Sequence, residues 1–265
     1  MHAILNIAVK AARDAANIIN RYAPDIDRIE VREKSATQKV SEVDLLANEA
    51  IIKHIRKNFP DHCIISEEGP ENNGKKQDAE YTWIIDPLDG TNNYLHGFPY
   101  YSVSIAIERE GETQFAVIID PSRQDIFTAS RGGGAQLNDT RIRVSNTLRL
   151  DNALISTGMP FKDPADIKPW LKSYAAVLPR ANSIVRCGSS ALDLAYLAAG
   201  RYDGLWQMGL KSWDISAGAL MVQEAGGLIS DFDGGQHFLS SGEIVCGNAS
   251  IHSKIQQIIS AHINK

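Results

Sequence analysis

Two aspartates three residues apart close an apolar run in Asp86-Pro87-Leu88-Asp89-Gly90-Thr91. Proline and glycine restrict the turn between and after them, so both carboxylates can be aimed at one point. Thr91 and the following Asn92-Asn93-Tyr94 can open a helix, which would set free amide N–H groups and a positive dipole end beside the acids. A metal ion and a phosphate group could meet there. The spacing fits equally a turn built from two ordinary turn-forming aspartates. Three more acids stand at comparable places. Glu67 follows a short apolar run in Ser66-Glu67-Glu68-Gly69, Asp44 lies in the first turn of a helical stretch, and Asp214 starts another in Trp213-Asp214-Ile215-Ser216-Ala217-Gly218. A solvated acidic turn accounts for Glu67 as well, and helix capping accounts for Asp44 and Asp214.

Convergence would decide between these readings. Two carboxylates about 4 Å apart at an effective dielectric near 20 repel by roughly 4 kcal/mol, so several can share a site only with protons or cations between them. Oxygen ligands without paired His or Cys favour magnesium or manganese over zinc, and a metal with open positions can hold a phosphate ester and a water. No HExxH pattern occurs, and His54, His62 and His96 have no partner at ligand spacing, so they read as surface or core imidazoles. The cysteines Cys63, Cys187 and Cys246 are far apart and read as small thiols rather than disulfide or zinc ligands.

The elements that must position the acids follow from periodicity. Ile4, Ile7, Ala8, Ala11, Ala15, Ile18 and Ile19 give one amphipathic helix. A second is expected over 41–59, capped by Ser41, with Leu45, Ala50, Ile51, Ile52 and Ile55 on its apolar side. Short buried strands are expected at 63–65 and 83–85, the latter stopping at Asp86-Pro87, with a polar loop over 70–80 between them. Alternation from 100 to 127 predicts an antiparallel meander, and Arg131-Gly132-Gly133-Gly134 a turn rather than a phosphate loop. Helices return over 165–178, 190–199, 215–225 and 249–263. No regular strand–helix repeat and no linker divides the chain, so α/β layers with a continuous interface are expected.

The chain has 265 residues, 43% hydrophobic and 22% charged, as expected of a folded globular protein of one large domain or two tightly joined lobes. Lys and Arg number 27 against 32 Asp and Glu, a formal net charge of -5, which argues against a protein built to coat nucleic acid. Arg28, Arg32, Lys34 and Lys39, and separately Arg141, Arg143 and Arg149, form loosely basic regions that solvated faces explain. No apolar run approaches the roughly 18 residues of a membrane span, and Lys10 and Arg13 interrupt the start as a signal peptide, so a cytoplasmic protein is expected.

With these residues assembled, the chain resembles, nearly end to end, the inositol monophosphatase family of magnesium-dependent, lithium-sensitive phosphatases. Two long signatures carry the resemblance: Trp83-Ile84-Ile85-Asp86-Pro87-Leu88-Asp89-Gly90-Thr91-Asn92-Asn93-Tyr94, and the segment from Trp213-Asp214-Ile215-Ser216-Ala217-Gly218 through Glu224-Ala225-Gly226-Gly227. It implies the layered α-β-α-β-α sugar-phosphatase fold, α/β (α+β) with mixed, largely antiparallel sheets. That would be one domain over 1–265 with two continuous lobes, roughly 1–150 and 151–265, usually paired as a homodimer. It further implies two to three magnesium ions, with manganese as a substitute. Glu67, Asp86, the Leu88 carbonyl, Asp89 and Asp214 match the metal ligands, and Asp44 matches the acid that partners Thr91. Asp89, Gly90 and Thr91 correspond to phosphate-side positions, while Arg186, Gly188, Ser189 and Ser190 occupy the segment lining the sugar side. Lys34 matches a family lysine near the active-site loop, although the stretch from Lys34 to Asp44 is one residue shorter than the usual pattern.

One position departs from that pattern. In Leu205-Trp206-Gln207-Met208-Gly209, members acting on inositol phosphate typically present a glutamate at 207. Gln207 offers one carbonyl acceptor, two donor hydrogens and no charge, which leaves metal chemistry intact and bears on substrate preference. The expected reaction is direct in-line hydrolysis of a small alcohol phosphate, myo-inositol monophosphate first, by a water held near Glu67 and Thr91, without a phosphoenzyme. Alternatives within the superfamily are a fructose-1,6-bisphosphatase, a histidinol-phosphate phosphatase and a nucleotide 3′-phosphatase. From another class comes a regulatory role with an RNA- or transcription-machinery partner.

Overall fold

Residues 103–107 alternate between two buried faces. Val103, Ile105 and Ile107 pack with Trp83, Ile85 and Val117, while Ala106 packs with Ile84, Ala116 and Ile118. A sheet buried on both faces needs cover on both sides, and that requirement organises the molecule. The computed structural model describes residues 2–35, 38–69, 79–160 and 164–263. The expected polar loop at 70–80 therefore lies almost wholly outside the described residues, as do the side chains of Lys34 and Lys39.

The chain opens with helix α1 (Ala3–Tyr22), the hairpin β1 (Val31–Ser35) and β2 (Gln38–Ser41), and helix α2 (Glu42–Asn58). Then come β3 (Cys63–Ser66), β4 (Thr82–Asp89), the short helix α3 (Thr91–Leu95), β5 (Ser102–Arg109), β6 (Glu112–Asp120), β7 (Asp125–Ser130), β8 (Gly134–Leu137) and β9 (Thr140–Arg141). The remainder is β10 (Leu154–Thr157), α4 (Pro164–Val177), β11 (Ser183–Val185), α5 (Ser190–Ala198), β12 (Gly204–Gln207), α6 (Ser212–Glu224), β13 (Leu228–Ser230), α7 (Phe238–Ser241), β14 (Ile244–Gly247) and α8 (Ala249–Ile263).

Strands β3 to β9 form a seven-stranded sheet in sequence order, antiparallel except for the β3–β4 pair. A five-stranded sheet has the order β11-β10-β12-β14-β13, parallel on the β11 side and antiparallel on the β13 side. Helices α1 and α2 cover the outer face of the larger sheet, α5 and α6 lie between the sheets, and α8 with α4 closes the outer face of the smaller one. The α-β-α-β-α layering and the mixed, largely antiparallel sheets are those expected. The middle layer is tight. A Cβ on Gly218 of α6 would lie 2.4 Å from the Leu194 Cβ of α5, so only glycine permits this crossing.

Three local readings change. Strand β4 does not stop at Asp86-Pro87 but continues to Asp89, with its register against β5 shifting between Asp86 and Asp89. The missing proline N–H falls within that irregularity, where the ladder is already interrupted. Helix α6 begins at Ser212, earlier than expected, so Asp214 lies inside its first turn. In α2 the buried stripe is Val43, Ala47, Ile51 and Ile55, at spacing i+4, whereas Leu45 faces solvent at 39% exposure. No helix among the described residues is long and apolar enough to cross a membrane.

Candidate active site

Strand β4 carries Asp86, Leu88 and Asp89 to one end of the larger sheet. Gly90 then turns the chain with φ +97° into α3, which begins at Thr91 as expected. A Cβ at Gly90 would sit 3.1 Å from the Tyr100 carbonyl oxygen and 3.3 Å from that of Gly188, so both conformation and space require glycine. Helix α6 brings Asp214 to the same point, and ligand oxygens of Asp86, Asp89 and Asp214 all lie within 4.8 Å of one another. All three residues are buried. Glu67, one residue beyond β3, donates its N–H to the Ile85 carbonyl at 3.0 Å, which continues the β3–β4 pairing and sets it on the wall of the same cavity.

Each acid also grips the chain. Asp86 Oδ1 accepts the Leu88 N–H at 3.1 Å, and Asp214 Oδ2 accepts the Lys211 N–H at 2.7 Å across the first turn of α6. Asp89 Oδ2 accepts the Ser189 hydroxyl at 2.6 Å and the Ala191 N–H at 2.8 Å, which ties β4 to the start of α5. Asp44 Oδ2 accepts the Ser41 N–H at 2.9 Å in a reciprocal cap of α2, while its Oδ1 accepts the Thr91 hydroxyl at 2.9 Å. Thr91 Oγ1 is also 3.1 Å from the Leu88 carbonyl, so that carbonyl is directed toward the same point. Asp44 therefore both caps a helix and partners Thr91.

Burial, then repulsion from Glu67, Asp89, Asp214 and Asp44, pushes the Asp86 carboxyl well above the usual carboxylate range. Asp89 is pushed up to about 7, chiefly by burial and then by Asp214, against the opposing hydrogen bonds from Ser189 and Ala191. Burial also raises Asp44, offset by its bonds from Ser41 and Thr91. Like charges held this close are the donor set of a hard cation, since oxygen-only ligands with no thiolate or imidazole suit magnesium or manganese. The residues present fit such an ion.

The surrounding cavity, of about 180 Å³, is lined by Glu67, Asp86, Leu88, Asp89, Gly90, Thr91, Arg186, Gly188, Ser189, Ser190, Gln207 and Asp214, so the expected positions converge here, with Asp44 behind Thr91. Gly188, at φ +93°, packs against the Asn93 amide and Arg186, and Asn93 donates to the carbonyls of Tyr100 and Cys187 at 2.7 and 2.8 Å. Gln207 is 1% exposed and donates through Nε2 to Asp193 Oδ2 at 3.1 Å. The cavity also contains Gly158, Met159, Pro160 and Met208, which sequence reasoning missed. Asp193 was missed too. It reads as an ordinary acid in the first turn of a helix, and only its complete burial sets it apart. The histidines stand elsewhere: His54 meets Asp14 at 2.6 Å, His62 accepts the Trp83 indole N–H at 3.0 Å, and His96 is exposed. Cys63, Cys187 and Cys246 form no disulfide among the described residues.

Comparison with known proteins agrees with this geometry. The family model described as the inositol monophosphatase family matches residues 1–264. "Nus factor SuhB" of Pseudomonas aeruginosa is 46% identical over 265 residues, covering 99% of this chain and 98% of that protein. Among solved structures, the extragenic suppressor protein suhB of Bartonella henselae superposes with a TM-score of 0.93 at 39% identity, covering 97% of this chain and 98% of that one. Inositol monophosphatase from Anabaena superposes at 0.86 with 33% identity, covering 98% and 96%. A match over essentially the whole length, to a family whose two signature segments here supply Asp86, Asp89 and Asp214, means that this chain belongs to the inositol monophosphatase family.

Proposed function

We propose that this protein is a magnesium-dependent phosphatase that hydrolyses a small alcohol phosphate, myo-inositol monophosphate foremost, by direct attack of water. The observation that carries the reading is the group of three buried carboxylates within 4.8 Å, opening on a cavity in a chain of this family. Asp86, Asp89 and Asp214, with Glu67 and the Leu88 carbonyl, would hold the two to three divalent cations. When bound, those cations would neutralise phosphoryl oxygens and acidify a water. The residues do the positioning. Thr91 commits its hydroxyl hydrogen toward Asp44 or Leu88, which leaves its oxygen lone pairs to orient the attacking water beside Glu67. Ser189 and the Ala191 N–H hold Asp89, so α5 fixes one metal-facing carboxylate while its first residues, with Arg186, Gly188 and Ser190, line the side that receives the alcohol.

Asp89→Asn tests this. With the protein still folded, turnover falls by about a thousandfold or more, equivalent to about 4 kcal/mol of lost charge stabilisation. Near-normal turnover at saturating magnesium would overturn the assignment. A hydrolysis screen over inositol, glycerol, fructose and histidinol phosphates and a 3′,5′-nucleotide then ranks the substrates.

A second reading has its own support, because the curated relatives carry the name Nus factor SuhB. It is contact with the transcription machinery, compatible with catalysis. Recovery of transcription factors by the tagged full chain, together with a cellular phenotype that survives Asp89→Asn, would make the binding role primary. A cytoplasmic location and a homodimer are proposed with either reading and are tested by fractionation and light scattering.

A further inference from the structure

Gln207 ends strand β12 on the cavity wall, and its amide sits in a buried polar network that no metal-facing acid shares. Its Nε2 donates to Asp193 Oδ2 at 3.1 Å. The Tyr100 hydroxyl donates to Asp193 Oδ1 at 2.6 Å and lies 3.0 Å from the Tyr202 hydroxyl. Burial pushes the Asp193 carboxyl up to about 7; above that pH it is ionised, accepts and never donates, and so admits only the NH2 side of the amide. The flipped amide would set oxygen against oxygen at the same distance. The other amide atom, Gln207 Oε1, is then left buried with no hydrogen-bond partner among the described residues. It lies at the Gly158 edge of the cavity, where a Cβ added to Gly158 would come within 3.2 Å of it. A buried acceptor without a partner costs free energy unless something fills the place.

We propose that Asp193 is a positioning residue that fixes the Gln207 amide, so that Oε1 faces the cavity as a single uncharged acceptor for a hydroxyl group on the alcohol portion of the substrate. This rests on the phosphatase reading above and deepens it. It specifies that the substrate carries a hydroxyl donor within reach of Gln207, and that the acceptor meeting it is neutral. The groups facing Asp193 are Tyr100, Ser156, Gln207, Tyr202 and, at longer range, Cys187 and Arg186. Arg186 is the one cation among these groups, and its charge favours the ionised form of Asp193 less than burial opposes it. Gln207→Glu would therefore set two carboxylates against each other, and the pair would need to share a proton.

The test compares kcat/KM for myo-inositol 1-phosphate with that for p-nitrophenyl phosphate, which has no hydroxyl to offer, in magnesium. Asp193→Asn lets the amide adopt either orientation, and the ratio of the two kcat/KM values falls about tenfold, through KM rather than kcat. Gln207→Glu gives a KM for the inositol ester that rises with pH across the neutral range. The double variant Asp193→Asn with Gln207→Glu loses that pH dependence, because the new asparagine donates to the new carboxylate. A merely structural Asp193 would not produce this rescue. If Asp193→Asn does not fold, Gly158→Ala carries the test by crowding Oε1 without touching Asp193, and the same ratio falls. A wild-type enzyme active on both esters, with variant ratios within about twofold of its own, overturns the positioning role and leaves the phosphatase reading standing. A wild-type protein that hydrolyses neither ester ends the phosphatase reading and this inference with it.

Discussion

Asp86→Asn should make the metal-free protein more stable while removing its response to magnesium. The oxygens of Asp86, Asp89 and Asp214 lie within 4.8 Å, and at that separation with an effective dielectric near 20 each ionised pair repels by about 3 kcal/mol. Partial protonation relieves some of this, so about 1–2 kcal/mol is the expected recovery, or roughly 2–6 °C in Tm for a chain of this size. Asparagine keeps an oxygen for the Leu88 N–H, so the local turn loses nothing. The sign with pH follows from the raised carboxyls. Their folded pKa values exceed the unfolded ones, so the folded state binds protons more tightly and stability falls as pH rises from about 4. For Asp89 the loss is complete above about 7. The stabilisation by Asp86→Asn is accordingly largest at pH 8 and vanishes near pH 4. Thermal melts of both proteins in chelator and in magnesium chloride across that range measure it. An Asp86→Asn protein that melts below wild type in chelator at pH 8 would refute the claim that the acids oppose one another.

Other substitutions probe single contacts. Ser189→Ala removes the 2.6 Å bond that holds the Asp89 pKa down, so magnesium affinity drops at neutral pH and recovers toward pH 9, measured by calorimetric titration. Thr91→Val leaves buried Asp44 Oδ1 without its donor, costing about 1–3 kcal/mol in a denaturant melt, and lowers turnover by a larger factor than stability explains. Gly90→Ala, at φ +97° and 3.1 Å from the Tyr100 carbonyl, destabilises by about 1–3 kcal/mol in the same assay. Gly218→Ala drives a methyl into Leu194 and lowers Tm at every pH, in chelator and in magnesium alike, which separates a packing defect from one in the acid cluster.

The acids were legible in the sequence as types and spacings, but their convergence was not. Asp86 and Asp214 are joined by no periodic signal, and only the two family signatures linked them before the fold did. For Asp44 the choice between capping and site chemistry was a false one, because its two oxygens do both. The meander and the terminal helices followed from apolar alternation and periodicity. The end of β4 did not, because a proline after Asp86 argues for a strand end unless the ladder is already irregular there. Asp193 was illegible for a different reason. Its role depends on Tyr100, from the loop before β5, and Gln207, from the end of β12, and nothing local distinguishes it from a solvated first-turn acid.

A cluster of mutually repelling carboxylates must be held in place by something other than the cation it attracts. Here the backbone supplies it. Asp44, Asp86, Asp89 and Asp214 each give one oxygen to a main-chain N–H, from Ser41, Leu88, Ala191 and Lys211 respectively. Three of those amides belong to the first turn or cap of α2, α5 and α6, where unpaired N–H groups and the positive end of the helix dipole favour an anion. Where the carboxylate is ionised, such a bond is charge-assisted and contributes about 1.5–3 kcal/mol, comparable to the roughly 3 kcal/mol by which a neighbouring ionised acid opposes it. The acids can therefore be oriented before any cation arrives. Three helices from separate parts of the chain must end at one point for this to work, and the layered fold, with α5 and α6 between the sheets and α2 outside them, brings those ends together.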